Sequence, residues 1–135
     1  MATVKLMTDD EAALITAVQE VFDDIRQTRK SDFINNFWRG LANDPANLKR
    51  VWEGLKSVMV TEGAIDPLVR EMIYIAVSTA NSCAYCIQSH TAAARSRGMT
   101  EAQHGELLAV ISLAAQTNHL ALAMQIPPDP EFEVE

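Results

Sequence analysis

Glycine and proline are scarce: each occurs five times in 135 residues, and Pro127, Pro128 and Pro130 crowd the carboxyl end. Turn-rich β architectures need both as punctuation, so their shortage points to long uninterrupted elements. Cysteine is scarcer, with two residues three positions apart, Cys83 and Cys86. Two cysteines cannot build the disulfide framework of a small secreted domain, and closing so short a loop would do little to constrain the unfolded chain. If the pair matters, it matters chemically. Basic residues are outnumbered, 11 Lys and Arg against 18 Asp and Glu, for a net charge of −7. A nucleic-acid-binding protein would carry a basic stripe to neutralise phosphates, so no nucleic-acid partner is expected, and anionic lipid gains nothing from this charge. The longest purely apolar run, residues 72–77, is far short of the roughly 20 residues needed to cross a bilayer. Residues 1–11 turn acidic before any apolar run develops, which is unlike a secretory signal. The default expectation is a cytoplasmic protein with no membrane partner.

What is present is the composition of a globular chain, 48% hydrophobic and 21% charged, long enough for one hydrophobic core. Its punctuation is helical. Thr8-Asp9-Asp10-Glu11 and Thr100-Glu101-Ala102-Gln103 are capping boxes, and Asp44-Pro45 and Asp66-Pro67 pair an Asp N-cap with a Pro at the first helical position. Apolar residues recur at helical spacing between these markers. The pattern predicts six helices: 9–29, a shorter second one capped by Ser31, 45–60, 67–80, a fifth over 83–97 capped by Ser82 and ended by Gly98, and a sixth over 100–124. Strand signals are nearly absent. The expected fold is all-α, one domain over 1–126 with a Pro-rich acidic tail over 127–135, and Cys-x-x-Cys at the start of the fifth helix.

That motif carries the chemistry. Free N–H groups and the positive end of the dipole at a helix start favour a thiolate, and the thiolate is the reactive form. By this argument Cys83, nearest the helix start, is the thiol most readily ionised. His90 stands four residues after Cys86 and seven after Cys83, which puts all three on one helical face. Glu71 would lie about 18 Å from Cys83 on a continuous helix. The break at Asn81-Ser82 lets the chain fold back instead. Glu71, ten residues before the break, and His90, eight after it, then meet within about one turn. A carboxylate there can orient an imidazole and stabilise its protonated form.

The stretch Arg70-Glu71-x(11)-Cys83-x-x-Cys86-x(3)-His90, followed by Gly98-Met99-Thr100, resembles the carboxymuconolactone decarboxylase and alkylhydroperoxidase D (AhpD-like) superfamily, with the strong match over residues 66–104. The resemblance implies an all-helical, usually oligomeric fold and, for Cys-containing members, peroxidase activity towards organic or hydrogen peroxides. It implies Cys86 as the peroxidatic thiol, Cys83 as the resolving thiol, and Glu71 and His90 as a proton relay. The disulfide would be reopened by an external dithiol or lipoyl-bearing partner, with no bound cofactor and no metal. Some AhpD enzymes have His just before the second Cys; this chain has Tyr85, which by position is a candidate wall of the substrate pocket. Two other readings stay open: a carboxymuconolactone decarboxylase-like enzyme acting on a lactone, against which the Cys pair counts, and a non-enzymatic redox-sensing oligomer.

Plainer roles are set beside these. Two thiols and one imidazole, with Glu71 a poor fourth, make a weak structural zinc set. His104 and His119 read as surface or interface residues, Arg95 and Arg97 as complements to the carboxyl end of their helix, and Phe33, Phe37, Trp38, Trp52 and Tyr74 as core or subunit contacts. The apolar fourth helix and the Leu- and Ala-rich sixth (Leu107, Leu108, Ile111, Leu113, Leu120, Leu122) offer more apolar surface than one small bundle hides, which predicts a symmetric dimer or a multiple of it; together with the resemblance, the expectation is a homo-oligomer, whether dimer, trimer or hexamer.

Overall fold

The computed structural model describes residues 1–132. Among them the chain forms seven α-helices and no strand: α1 (Asp9–Ala13), α2 (Thr16–Arg29), α3 (Asn36–Leu41), α4 (Pro45–Leu55), α5 (Pro67–Ala80), α6 (Ala84–Ser96) and α7 (Glu101–Met124). A π-helical turn, Lys56–Val60, continues α4, and a 3-10 turn, Pro130–Phe132, lies in the expected tail. Residues 133–135 of that tail are outside the described residues. By internal packing the chain divides into two compact units, Met1–Glu62 and Gly63–Glu135, each with its own apolar cluster. Sequence periodicity drew no boundary there.

The capping boxes form as the sequence requires: Thr8 and Glu11 exchange side chain-to-backbone bonds at α1, as do Thr100 and Gln103 at α7. Asp44 and Asp66 each accept a backbone N–H at α4 and α5. The expected first helix is split. Leu14 and Ile15 close short turns on Glu11 and Ala12, and Ile15 is extended before α2 begins. No Gly or Pro marks this break. The β-branched pair Ile15-Thr16 favours helix weakly, and Asp9 is drawn back to Arg26 and Arg39 at 2.9 and 3.0 Å. The Cys motif therefore opens the sixth helix. Ser31 does not cap the next helix; its hydroxyl accepts the Phe33 N–H, a local turn that Ser readily makes, and Asn35 is the cap residue.

In the first unit Trp38 and Trp52 meet edge to face at 5.4 Å, amid fully buried Phe22, Ile25, Ile34 and Leu48, whereas Phe33 and Phe37 stay exposed. The Trp52 Nε1–H donates to Asp24 at 2.7 Å, and the Lys56 ammonium binds the same carboxylate at 2.8 Å. The Lys56 bond and then the Trp52 bond hold the Asp24 carboxyl below its ordinary value of 3.8. A depressed carboxylate adds stability above its unfolded pKa, and this is lost as pH falls through the lower folded value. Both partners are part exposed, so screening keeps the contribution to less than about 1 kcal/mol. Urea midpoints should therefore fall between pH 5 and pH 3 (about one unit either side of the ordinary carboxylate value), and fall less steeply in Asp24→Asn.

In the second unit α5 and α6 form an antiparallel hairpin over Ile75, Ala94 and Met99, with Leu68, Met72, Leu107 and Ile111 packed against them. The turn is a Schellman motif: Cys83 N–H reaches Ser78 C=O at 2.9 Å and Ser82 N–H reaches Thr79 C=O at 3.1 Å. Ser82 sits at φ 56°, a left-handed position usually taken by Gly. It therefore ends α5, and the N-cap of α6 passes to Cys83. The same motif ends α6, with Gly98 at φ 93° and Met99 N–H on Ala94 C=O at 3.0 Å.

Candidate active site

The two Schellman turns fix both ends of α6 and so the placement of its side chains. Cys83, as N-cap, and Cys86, in the first turn, are joined as a disulfide with Cα atoms 5.3 Å apart. The Cys86 N–H donates to the Cys83 sulfur at 3.3 Å, so one orphan donor of the helix start already points at that atom. Both residues are partly buried.

One turn beyond Cys86, the His90 Nδ1 lies 2.7 Å from Glu71 Oε2. The hairpin brings this pair together as the fold-back argument requires. Glu71 lies near the amino end of α5, yet it is 4% exposed, against the usual surface placement of such a residue. An ionised carboxylate only accepts hydrogen bonds, so Nδ1 is the donor in this contact and Nε2 is the nitrogen that does not face Glu71.

Two further residues complete the cluster. Tyr74 stacks on the His90 ring at 3.6 Å and 19°, and Arg97 Nε donates to Glu71 Oε1 at 3.3 Å. Neither role is among those the sequence suggests. Its spacing suggests core or subunit contacts for Tyr74 and the helix dipole for Arg97, whereas Arg97 reaches across to α5. A signal existed: Tyr74 stands three residues after Glu71 and Arg97 seven after His90, helical spacings that share a face. Arg95, the other arginine, pairs with Glu101 at 3.2 Å. Tyr85 is exposed. His119 is exposed and His104 partly buried. Among the described residues no group of three or more His, Cys, Asp or Glu side chains is placed to hold a metal.

The outer side of this unit is apolar. α5 turns Glu71 and Ser78 inward and Val69, Ile73 and Val77 outward. No residue of α7 is fully buried; Leu107 and Ile111 pack on the core, while Leu108, Val110, Leu113, Leu120 and Leu122 are exposed. α7 is also the one helix among the described residues long and apolar enough, by length and composition alone, to match a membrane span.

An all-helical bundle with a dithiol pair at a helix start and a Glu-His pair across the hairpin defines a thiol-bearing AhpD-like class of protein. The carboxymuconolactone decarboxylase family pattern matches residues 46–127, and the chain belongs to that family. Its structure is similar to the crystal structure of the alkylhydroperoxidase AhpD core from Rhodospirillum rubrum, with a TM-score of 0.98, 68% identity, and coverage of 100% of this chain and 99% of that one. It is 30% identical to the alkyl hydroperoxide reductase AhpD of Solibacter usitatus over 56% of this chain and 41% of that protein. It is 44% identical to the uncharacterized protein YdfG of Bacillus subtilis over 36% of this chain and 37% of that protein. The chain thus spans about two fifths of the length of these curated relatives.

Proposed function

We propose that this protein is a dithiol peroxidase that reduces organic or hydrogen peroxides through Cys86 and Cys83. The observation that carries the reading is the closed Cys83–Cys86 pair at the α6 start, on the same hairpin as the buried Glu71–His90 pair. In the forward cycle the Cys86 thiolate attacks the terminal peroxide oxygen and the O–O bond breaks. The alcohol, or water from hydrogen peroxide, leaves after taking a proton, and Cys86 becomes a sulfenic acid. Cys83 attacks that sulfur, the S–S bond forms, and the hydroxyl leaves as water. An external dithiol, free or lipoyl-borne, is oxidised as it returns the pair to the thiols. His90, oriented by Glu71, takes the proton from the attacking thiol and returns it to the leaving oxygen. Tyr85 serves as an exposed wall of the peroxide pocket. The need to reopen the disulfide at each turnover fits a reducing compartment such as the cytoplasm.

The test is catalytic consumption of cumene hydroperoxide or hydrogen peroxide in the presence of dithiothreitol or dihydrolipoamide. Turnover well beyond one equivalent per chain supports the reading. One equivalent consumed with no return to dithiol favours a redox sensor.

The outward Val69-Ile73-Val77 stripe on α5 and the unburied length of α7 support a homo-oligomer built on this unit, since an apolar surface of that extent is unusual on a monomer. Equilibrium sedimentation is expected to give an integral multiple of the 14.9 kDa chain. A single monomeric species without detergent would remove this part of the proposal.

A further inference from the structure

We propose that Arg97 is a positioning residue for the proton relay: it shares the Glu71 carboxylate with His90 and thereby sets the pH at which the imidazole is free to act as a base. The functional consequence rests on the peroxidase reading above; the electrostatic one does not.

Glu71 is almost wholly buried, and its two oxygens have different partners: Oε2 faces His90 Nδ1 at 2.7 Å and Oε1 accepts from Arg97 Nε at 3.3 Å. A carboxylate removed from water must be paired. The two partners differ in kind, because Arg is charged at every working pH and His is charged only when protonated. Facing His90 alone, the carboxylate would direct its whole field at the imidazole and favour the imidazolium, which cannot accept a proton. The fixed charge of Arg97 opposes this in two ways. It supplies the buried carboxylate with a second, permanently charged partner, and it cancels part of the carboxylate field at the ring.

The placement of Arg97 is built in. It is the C-cap of α6, and the turn that follows it is locked by Gly98 at φ 93° and by buried Met99. Glu71 and Tyr74, both from α5, touch the His90 ring, Arg97 at the C-cap of α6 reaches it through the Glu71 carboxylate, and Cys86 stands one turn earlier along α6. α7, packed on α5, carries Glu101, His104 and Glu106 in its first two turns, with Glu101 paired to Arg95. The Arg97 side chain is 39% exposed against 5% for Glu71, so solvent weakens its effect on the ring without removing it.

The deciding experiment titrates the His90 ring by NMR in the full chain with the disulfide closed, for wild type, Arg97→Gln and Arg97→Lys, using His90→Ala to assign the resonance. The His90 midpoint is expected to rise by about 0.5–1 pH unit in Arg97→Gln and to stay near wild type in Arg97→Lys, which keeps the charge. The acid limb of the pH profile for peroxide turnover should move upward by the same amount. An unmoved or lowered midpoint in Arg97→Gln, with melting temperature and circular dichroism unchanged, overturns the proposal. If Arg97→Gln does not fold, a midpoint in Arg97→Lys displaced by more than half a pH unit overturns it, and one held near wild type supports it. A shifted ring midpoint in a protein without peroxide turnover upholds the role of Arg97 and removes the peroxidase reading, so the two fail separately.

Discussion

Cys86→Ser is expected to lower peroxide turnover about a thousandfold or more, the scale on which loss of a catalytic nucleophile acts. A serine hydroxyl is not ionised near neutral pH and cannot form the sulfenic acid that the cycle passes through. Cys83→Ser should fail differently. With the attacking thiol kept and its partner removed, the protein should consume about one equivalent of peroxide per chain and then stall as a sulfenic acid, visible by intact mass and by trapping with a dimedone-type reagent. The two variants separate the chemical roles because one loses the first step and the other the second. They also decide the order of the thiols. Cys83 is the N-cap and its sulfur receives the Cys86 N–H at 3.3 Å, which favours charge on Cys83; the family resemblance assigns attack to Cys86. If Cys83→Ser abolishes the first equivalent and Cys86→Ser retains it, the N-cap thiol is the nucleophile. If both variants turn over at wild-type rate, the dithiol mechanism is wrong.

His90→Ala is expected to lower turnover by about 10²–10⁴-fold near neutral pH, the usual contribution of a positioned general base. The loss should shrink as pH rises through about 8.5, where a free thiol ionises without help. That recovery separates loss of a base from a distorted site, which high pH would not repair. Glu71→Gln should lose less than His90→Ala, since the amide oxygen can still accept from Nδ1 while the charge is gone. A flat pH response in His90→Ala, or full activity at neutral pH, would leave the Glu71–His90 contact as a structural pair only.

Much of this is legible in the amino-acid sequence. Thr8, Asp44, Asp66 and Thr100 mark helix starts because a cap is a bond between a side chain and a backbone N–H two or three residues away. The Glu71–His90 contact was also legible, because a hairpin with a known break leaves few registers open. The failures share a cause. Ser31 and Ser82 are good capping residues by type, yet one is used in a local turn and the other is driven to positive φ by the Schellman closure of α5. The break at Ile15 likewise carries no Gly or Pro. Each is one local option taken in place of another, and composition and period do not say which.

By itself, the amino-acid sequence determined the helical class, most of the helix starts and the spacing that sets His90 one turn after Cys86, because all of these depend on interactions within a few residues along the chain. Only the tertiary structure decided that Glu71 is buried, that Tyr74 covers the imidazole, that Arg97 turns to Glu71 instead of to its own helix end, and that α7 leaves its apolar length uncovered. Those outcomes depend on which faces meet when α5 and α6 fold back on each other. A carboxylate with an arginine and a histidine in reach takes both once water is excluded, and no spacing rule in one dimension states that in advance.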